Sequence, residues 1–102
     1  MTAEDAAQAL ARLRHEIDAL DLELLALLNR RTHVVEEIGQ IKASLEMPVY
    51  EPKREDDVLR NVTANNTGPL TPDALQRIFE RIIDEMRSLQ KMRRQQQGEK
   101  EC

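Results

Sequence analysis

The sequence has almost no aromatic residues, little glycine and a single cysteine. Its 102 residues include one Tyr, one Phe, no Trp and only three Gly. β-Sheets collect aromatic and β-branched side chains, so this composition argues against a sheet and favours an all-α protein. A chain of this length forms one domain at most. Cys102 has no second cysteine to pair with, which excludes a disulfide framework within one chain.

Charge and hydropathy argue against two classes of partner. The net charge is −4, whereas general nucleic-acid binding needs a surplus of Lys and Arg. No apolar run is long enough to span a membrane, and the N-terminus lacks a signal-peptide pattern. We therefore expect a cytoplasmic protein. A metal site is not expected either, because His15 and His33 have no Cys or acidic partners at ligand spacing.

An apolar stripe with alternating steps of three and four residues runs from position 10 to position 45. This spacing is typical of a long helix packed against other helices. The stripe, called the 10–45 stripe below, consists of Leu10, Leu13, Ile17, Leu20, Leu24, Leu27, Arg31, Val34, Ile38, Ile41 and Leu45. Its one polar member is Arg31, and a charged guanidinium among packed side chains needs an anionic partner.

The length of this first helix predicts an oligomer. Thr2 and Asp5 form a capping pair for a start near Ala3, and Met47-Pro48 ends the helix because residues before proline avoid helical angles. A helix of ~40 residues is ~60 Å long. A compact chain of this size has a radius of gyration of only ~13 Å. We therefore expect a dimer or higher oligomer in which long helices cover one another.

Two shorter helices and a polar tail complete the predicted architecture. Pro52 suits the first turn of a second helix that runs to about Ala64. Thr71 is a suitable N-cap for a third helix, which is expected to end near Arg93. The prediction is an all-α helical domain over residues 1–94, followed by a disordered polar tail over residues 95–102.

Several polar residues lie where the pattern expects packing. Arg31 and Lys42 are nearly three helical turns apart and project from nearly the same face, so they could grip one small anion. The alternatives are that Lys42 flanks the stripe in solvent and that Arg31 forms a buried ion pair with Glu55 or another acid. Arg14 is too far along the helix to share a small ligand with Arg31 of the same chain. It would have to come from another chain, or else pair with Asp18 on the surface.

The second and third helices add three more candidates. Arg54 and Glu55 point toward the apolar side of the second helix, although both could be first-turn surface charges. Gln90 continues an apolar stripe of the third helix, which favours a specific hydrogen-bonding role over the alternative of a core amide bonded to backbone. Together these residues predict a cationic pocket within a helical dimer, suited to a small dicarboxylate that bears a hydroxyl.

The order and spacing of short motifs along residues 10–90 resemble the all-α chorismate mutases. The motifs are Leu13-Arg14 with Ile17-Asp18 and Leu20-Asp21, Leu24 to Arg31, Ile38-Gly39 with Lys42, Pro48 to Pro52, Arg54-Glu55, Asn66 to Leu70, Ile78-Phe79 with Ile82-Ile83, and Gln90. The resemblance implies an intertwined homodimer of three-helix chains with two equivalent pockets. It also implies an isomerase that converts chorismate to prephenate by a Claisen rearrangement, on the route to aromatic amino acids, without a cofactor or metal.

The resemblance also implies a role for each candidate. Arg14 of the partner chain and Arg31 would hold the two carboxylates of the substrate. Lys42 would contact a carboxylate and the ether oxygen of the breaking C–O bond, and Gln90 would donate a second hydrogen bond to that oxygen.

The remaining residues would surround the ring hydroxyl. Glu55 would accept a hydrogen bond from it, Arg54 would line the pocket, and Glu51 would lie beside the hydroxyl. Two positions depart from the commonest pattern of the family, since many members have Asp in place of Glu51 and Ser in place of Met86.

Two alternatives stay open. An isochorismate pyruvate-lyase shares this scaffold and its cationic pocket, although Glu55 after Arg54 is more typical of the mutases. A non-catalytic helical module that binds another enzyme of the pathway is the second alternative. The presence of all five of the following residues argues against it: Arg14, Arg31, Lys42, Glu55 and Gln90. They still leave room for a partner enzyme that regulates the activity.

Overall fold

The computed structural model of the chain consists of three α-helices, and it describes the backbone of residues 1–101 and the side chains of residues 1–97. Helix α1 is Ala3–Ser44, α2 is Pro52–Ala64 and α3 is Pro72–Glu101. No strand occurs between residues 1 and 101. The predicted all-α class and the order of one long and two shorter helices are confirmed.

Local hydrogen bonds explain where the helices begin. The Oγ1 of Thr2 accepts the Asp5 N–H at 3.1 Å, and Oδ2 of Asp5 accepts the Thr2 N–H at 3.4 Å. The Oγ1 of Thr71 caps α3 by accepting the Ala74 N–H at 3.2 Å. Helix α2 begins at Pro52, whose missing N–H costs nothing in a first turn. The three predicted helix starts are confirmed.

The C-terminal end of α1 is a tight reversal of the chain. Glu46 has φ of 56°, the left-handed conformation that usually ends a helix at this position. The N–H of Met47 donates to the Lys42 carbonyl at 2.8 Å, and the N–H of Glu46 donates to the Ala43 carbonyl at 3.2 Å. This pair of bonds is a Schellman motif. The helix therefore ends through its own backbone bonds ahead of Pro48, and the chain turns back directly after Lys42.

Helix α3 is longer than the sequence pattern predicts, because it continues to Glu101 rather than ending near Arg93. The added turns are rich in Gln, Arg, Glu and Lys, which are good helix formers. Cys102 lies outside the described residues. The predicted disorder of residues 95–102 stays a prediction.

The chain divides into two units, Met1–His33 and Val34–Cys102. Residues 1–33 are all described, and none of them is buried. The six leading side chains of the 10–45 stripe, Leu10 to Leu27, are 47% to 56% exposed. The first unit therefore presents an apolar stripe that none of its own residues covers.

Among the residues whose side chains are described, all the buried ones lie in the second unit. They are Leu75, Ile83 and Met86 of α3, and Lys42 near the end of α1. A buried lysine among so few buried side chains is the feature on which the candidate site depends. In the described part of the chain, no helix combines the length and the apolar character that crossing a bilayer requires.

Candidate active site

Lys42 is a buried amine held by two acceptors. Lys42 is only 8% exposed, so the alternative that its side chain lies in solvent beside the stripe is wrong. Its Nζ donates to the Val49 carbonyl at 3.0 Å and lies 2.6 Å from Oε1 of Glu51. The Schellman turn after Lys42 makes this possible, because it returns Val49 and Glu51 toward the end of α1. An ammonium carries three N–H donors, so these two contacts leave one for a ligand.

Gln90 is held against α1 by its own amide. Its Nε2 donates to the Val35 carbonyl at 3.0 Å, and this bond is partly buried. A carboxamide nitrogen has two N–H groups, so the contact with Val35 orients the second without using it. Gln90 thus faces inward and is bonded to a backbone carbonyl, as the core-amide alternative expects, and its role as a donor to a ligand stays a prediction.

Gly39 is what lets Gln90 lie so close to α1. A Cβ built on Gly39 would lie 3.3 Å from Cγ of Gln90, tighter than an ordinary carbon contact. Gly39 is one helical turn before Lys42, so both residues lie on the same face of α1. The absence of a side chain at Gly39 therefore brings the Gln90 amide to the face that carries Lys42.

Glu55 pairs with an arginine that the sequence did not single out. Both of its carboxylate oxygens accept hydrogen bonds from Arg87 of α3, each at 2.8 Å. The side chains of Glu55 and Arg87 are 22% and 25% exposed, respectively. The hydrogen bond to Glu55 raises the pKa of Arg87 above its ordinary value, against the opposing effect of burial. Glu55 is thus a fixed, charged acceptor between α2 and α3.

Three other predicted site residues are exposed or partly exposed. Arg54 is exposed in the first turn of α2. Arg14 is exposed and Arg31 is partly exposed, and both belong to the first unit. Within the second unit, the structure brings Lys42 together with Glu51.

These groups can bind and polarise, and none of them is arranged as a nucleophile with its base. Lys42 and Gln90 each offer an N–H donor with a fixed direction, and donors of this kind stabilise negative charge that develops on an oxygen. Among the described residues, no group of three or more His, Cys, Asp or Glu is placed to hold a metal ion. The arrangement suits a reaction in which charge builds up on one oxygen of an anionic substrate.

Residues 13–91 match the family profile of chorismate mutase type II. The chain belongs to this family. The likeness covers parts of all three helices, so the resemblance noted in the sequence is confirmed. Residues 13–91 include every candidate site residue, from Arg14 to Gln90.

Solved structures of chorismate mutases are similar over most of their length. A chorismate mutase from Thermus thermophilus is 35% identical, with a TM-score of 0.80, and the match covers 81% of this chain and 94% of that one. A chorismate mutase from Helicobacter pylori, solved in complex with prephenate, is 34% identical with a TM-score of 0.76, over 82% and 91% of the two chains.

A curated relative is much longer. The bifunctional chorismate mutase/prephenate dehydratase of Aquifex aeolicus is 35% identical over 88 residues, which are 82% of this chain and 24% of that protein. The chain thus spans about a quarter of the length of this relative.

Sequence reasoning missed two contributors to the site. Arg87 lies 32 positions from Glu55, so no local spacing links them. One signal was present, since Arg87 follows the buried Ile83 by four residues and must face the same side of α3. Gly39 stands out in the sequence only as part of a motif. Its close contact with Gln90 depends on how α3 packs on α1.

Proposed function

We propose that this chain is a chorismate mutase that catalyses the rearrangement of chorismate to prephenate. The observation that carries the proposal is Lys42, a buried ammonium with one N–H to spare, in a chain of the chorismate mutase type II family. The reaction is unimolecular and pericyclic, so it needs no acid, base or nucleophile. Its barrier falls when the flexible substrate is held in the reactive shape and when charge on the ether oxygen is stabilised.

Each donor has one task in this mechanism. As the C–O bond breaks, negative charge builds on the ether oxygen, and Lys42 and Gln90 donate hydrogen bonds to it. Both groups are already oriented, by Glu51 and by the Val35 carbonyl respectively, so little reorganisation accompanies the reaction. Arg14 and Arg31 bind the two carboxylates and hold the substrate folded, because guanidinium groups bind carboxylates bidentately.

The active species in this proposal is a homodimer. All ten apolar side chains of the 10–45 stripe are exposed, by between 43% and 65%. An apolar surface of this kind marks an interaction site. A second copy of the same helix would cover it and would bring Arg14 of one chain to the pocket that contains Arg31, Lys42 and Gln90 of the other.

The direct test is an assay of the purified chain with chorismate. Absorbance of chorismate should fall with time, and the product should be identified as prephenate. Incubation with isochorismate separates the mutase from a pyruvate-lyase, which would release pyruvate from that substrate. A chain that converts neither substrate, alone or with another enzyme of the pathway, would contradict the proposal.

Gln90→Glu should convert a pH-independent activity into one that rises as the pH falls. A glutamate donates to the ether oxygen only when protonated, and a free Glu has a pKa of about 4.3. Activity should therefore be low at neutral pH and recover toward acid pH, as measured by kcat between roughly pH 4.5 and 8, a range set by that pKa. Gln95→Glu, an exposed change on the same helix, should keep the wild-type profile. A flat profile for Gln90→Glu would count against Gln90 as a donor.

Gly39→Ala should lower the activity without lowering the thermal stability. Alanine is favoured over glycine inside a helix by about 1 kcal/mol, which offsets the cost of moving Gln90. The added methyl, however, pushes the Gln90 amide away from its place on α1. We expect kcat to fall about tenfold, equivalent to the net value of one hydrogen bond, while the melting temperature stays equal or rises. An unchanged kcat would mean that the position of Gln90 does not depend on this glycine.

A further inference from the structure

Arg87 holds Glu55 by a two-pronged contact. Its Nε donates to Oε2 and its Nη2 donates to Oε1, each at 2.8 Å. A guanidinium that engages both oxygens fixes the plane of the carboxylate as well as its distance. The contact joins α3 to the first turn of α2, and it therefore determines where the Glu55 carboxylate points.

Two further contacts fix Arg87 itself. Its Nη2 also donates to Oδ1 of Asp84 at 2.8 Å, one turn earlier on α3. Its guanidinium lies over the ring of Tyr50, with the central carbon 5.1 Å from the ring centroid, within the range of a cation–π interaction. Arg87 is thus held from three sides, by α2, by α3 and by the segment between α1 and α2.

The carboxylate of Glu55 keeps the ability to accept another hydrogen bond. An ionised carboxylate has about four acceptor positions. Arg87 occupies one on each oxygen, and the side chain of Glu55 is still 22% exposed. A hydroxyl that approaches Glu55 therefore finds an acceptor whose direction has already been set.

We propose that Arg87 is a positioning residue that orients the Glu55 carboxylate toward the ring hydroxyl of the substrate. This inference rests on the proposed function and on the role that the family resemblance implies for Glu55, which is to accept a hydrogen bond from that hydroxyl. An ion pair of this kind contributes little net stability, because the cost of desolvating two charges offsets their attraction. A lysine could supply the charge but not the planar fork, so arginine is specifically required here.

The test compares Arg87→Ala with wild type in steady-state kinetics on chorismate. The ring hydroxyl is not itself a reacting group in the rearrangement. We therefore expect its contact to be equally strong in the ground state and the transition state, so that its loss raises KM with little change in kcat. We expect KM to rise about tenfold, the value of one hydrogen bond to a charged group. Arg81→Ala is the matched control, since Arg81 lies on α3 in an exposed pair with Glu85. It should leave KM unchanged.

The effect of Arg87 must pass through Glu55, and a double-mutant cycle checks this. In a Glu55→Ala background, Arg87→Ala should cause no further rise in KM, because there is no carboxylate left to orient. A merely structural arginine would add its own effect to that of Glu55→Ala. The double variant also removes both charges together, so it leaves no uncompensated partner in the fold.

A second substitution keeps the test sharp if Arg87→Ala fails to fold. Arg87→Lys retains the charge and should fold, but it loses the fork, so KM should lie between the values of wild type and Glu55→Ala. Thermal unfolding of each variant identifies loss of folding.

The possible outcomes separate the two proposals. A wild-type chain without turnover would overturn the proposed function, and the role of Arg87 with it. An active wild type whose folded Arg87→Ala and Arg87→Lys variants keep a normal KM would overturn the role of Arg87 alone. Additive effects in the cycle would do the same.

Discussion

Lys42→Ala should lower kcat for chorismate by roughly 10²–10³, the loss seen when one donor to a developing oxyanion is removed. Lys42 is the buried ammonium of the site, held by Glu51 and the Val49 carbonyl, and alanine leaves the ether oxygen without its charged partner. The measurement is the initial rate of chorismate loss at saturating substrate. The fall should appear in kcat more than in KM, because the charge on the ether oxygen exists only in the transition state.

Lys53→Ala is the control for Lys42→Ala. Lys53 is exposed in the first turn of α2, so this variant removes an equal charge from a solvated position and should keep the wild-type rate. Glu51 loses its partner in Lys42→Ala, but its side chain is 38% exposed and can be solvated, so the variant should stay folded. A folded Lys42→Ala chain with near-normal turnover would end the electrostatic assignment.

Mixing two inactive variants, Arg14→Ala and Arg31→Ala, should restore activity. Each variant alone loses one of the bidentate contacts that hold the substrate folded, and we expect each rate to fall by roughly 10² or more. If the pocket is shared between chains, a hybrid dimer has one pocket with both arginines and one with neither. After statistical exchange of subunits, the mixture should reach about a quarter of the wild-type rate, because half the dimers are hybrids with one intact pocket each.

A second mixture controls for the first. Lys42 and Arg31 are assigned to the same chain of each pocket, so mixing Lys42→Ala with Arg31→Ala should restore nothing. Mixing Lys42→Ala with Arg14→Ala should restore activity as the first mixture does. Exchange of subunits is verified with a mass-tagged chain. An inactive first mixture after verified exchange would contradict a pocket that is shared across the dimer.

Much of the fold could be predicted because its signals are local. The helix starts depend on short-range features: the capping bonds of Thr2, Asp5 and Thr71 join residues that are three positions apart. Pro52 marks the start of α2 by itself, because a first turn does not need its missing N–H. The sequence alone therefore reveals where each helix begins. The sequence pattern places the end of α3 too early, near Arg93. The chain becomes polar there, and a polar composition is typical of frayed helix ends. Gln, Arg, Glu and Lys are nevertheless good helix formers, and helix α3 continues to Glu101.

The inward position of Gln90 was predictable because this residue continues the apolar stripe of α3. Lys42 was singled out by its spacing from Arg31 along α1. The site was not predictable where the partner is distant in the chain. The pairing of Arg87 with Glu55 and the close contact between Gly39 and Gln90 both depend on how α3 packs. Glu51 pairs with Lys42 in the structure, and its place beside the substrate hydroxyl stays a prediction.

The exposed stripe of the first unit would make the activity of the proposed homodimer depend on the protein concentration. No residue between positions 1 and 33, all of them described, is buried, so in the proposed homodimer the folding free energy of this part of the chain would depend on association. Dilution of such a dimer would lower the apparent stability and the number of complete pockets together. Below the concentration at which the chains associate, the protein would then have no catalytic activity.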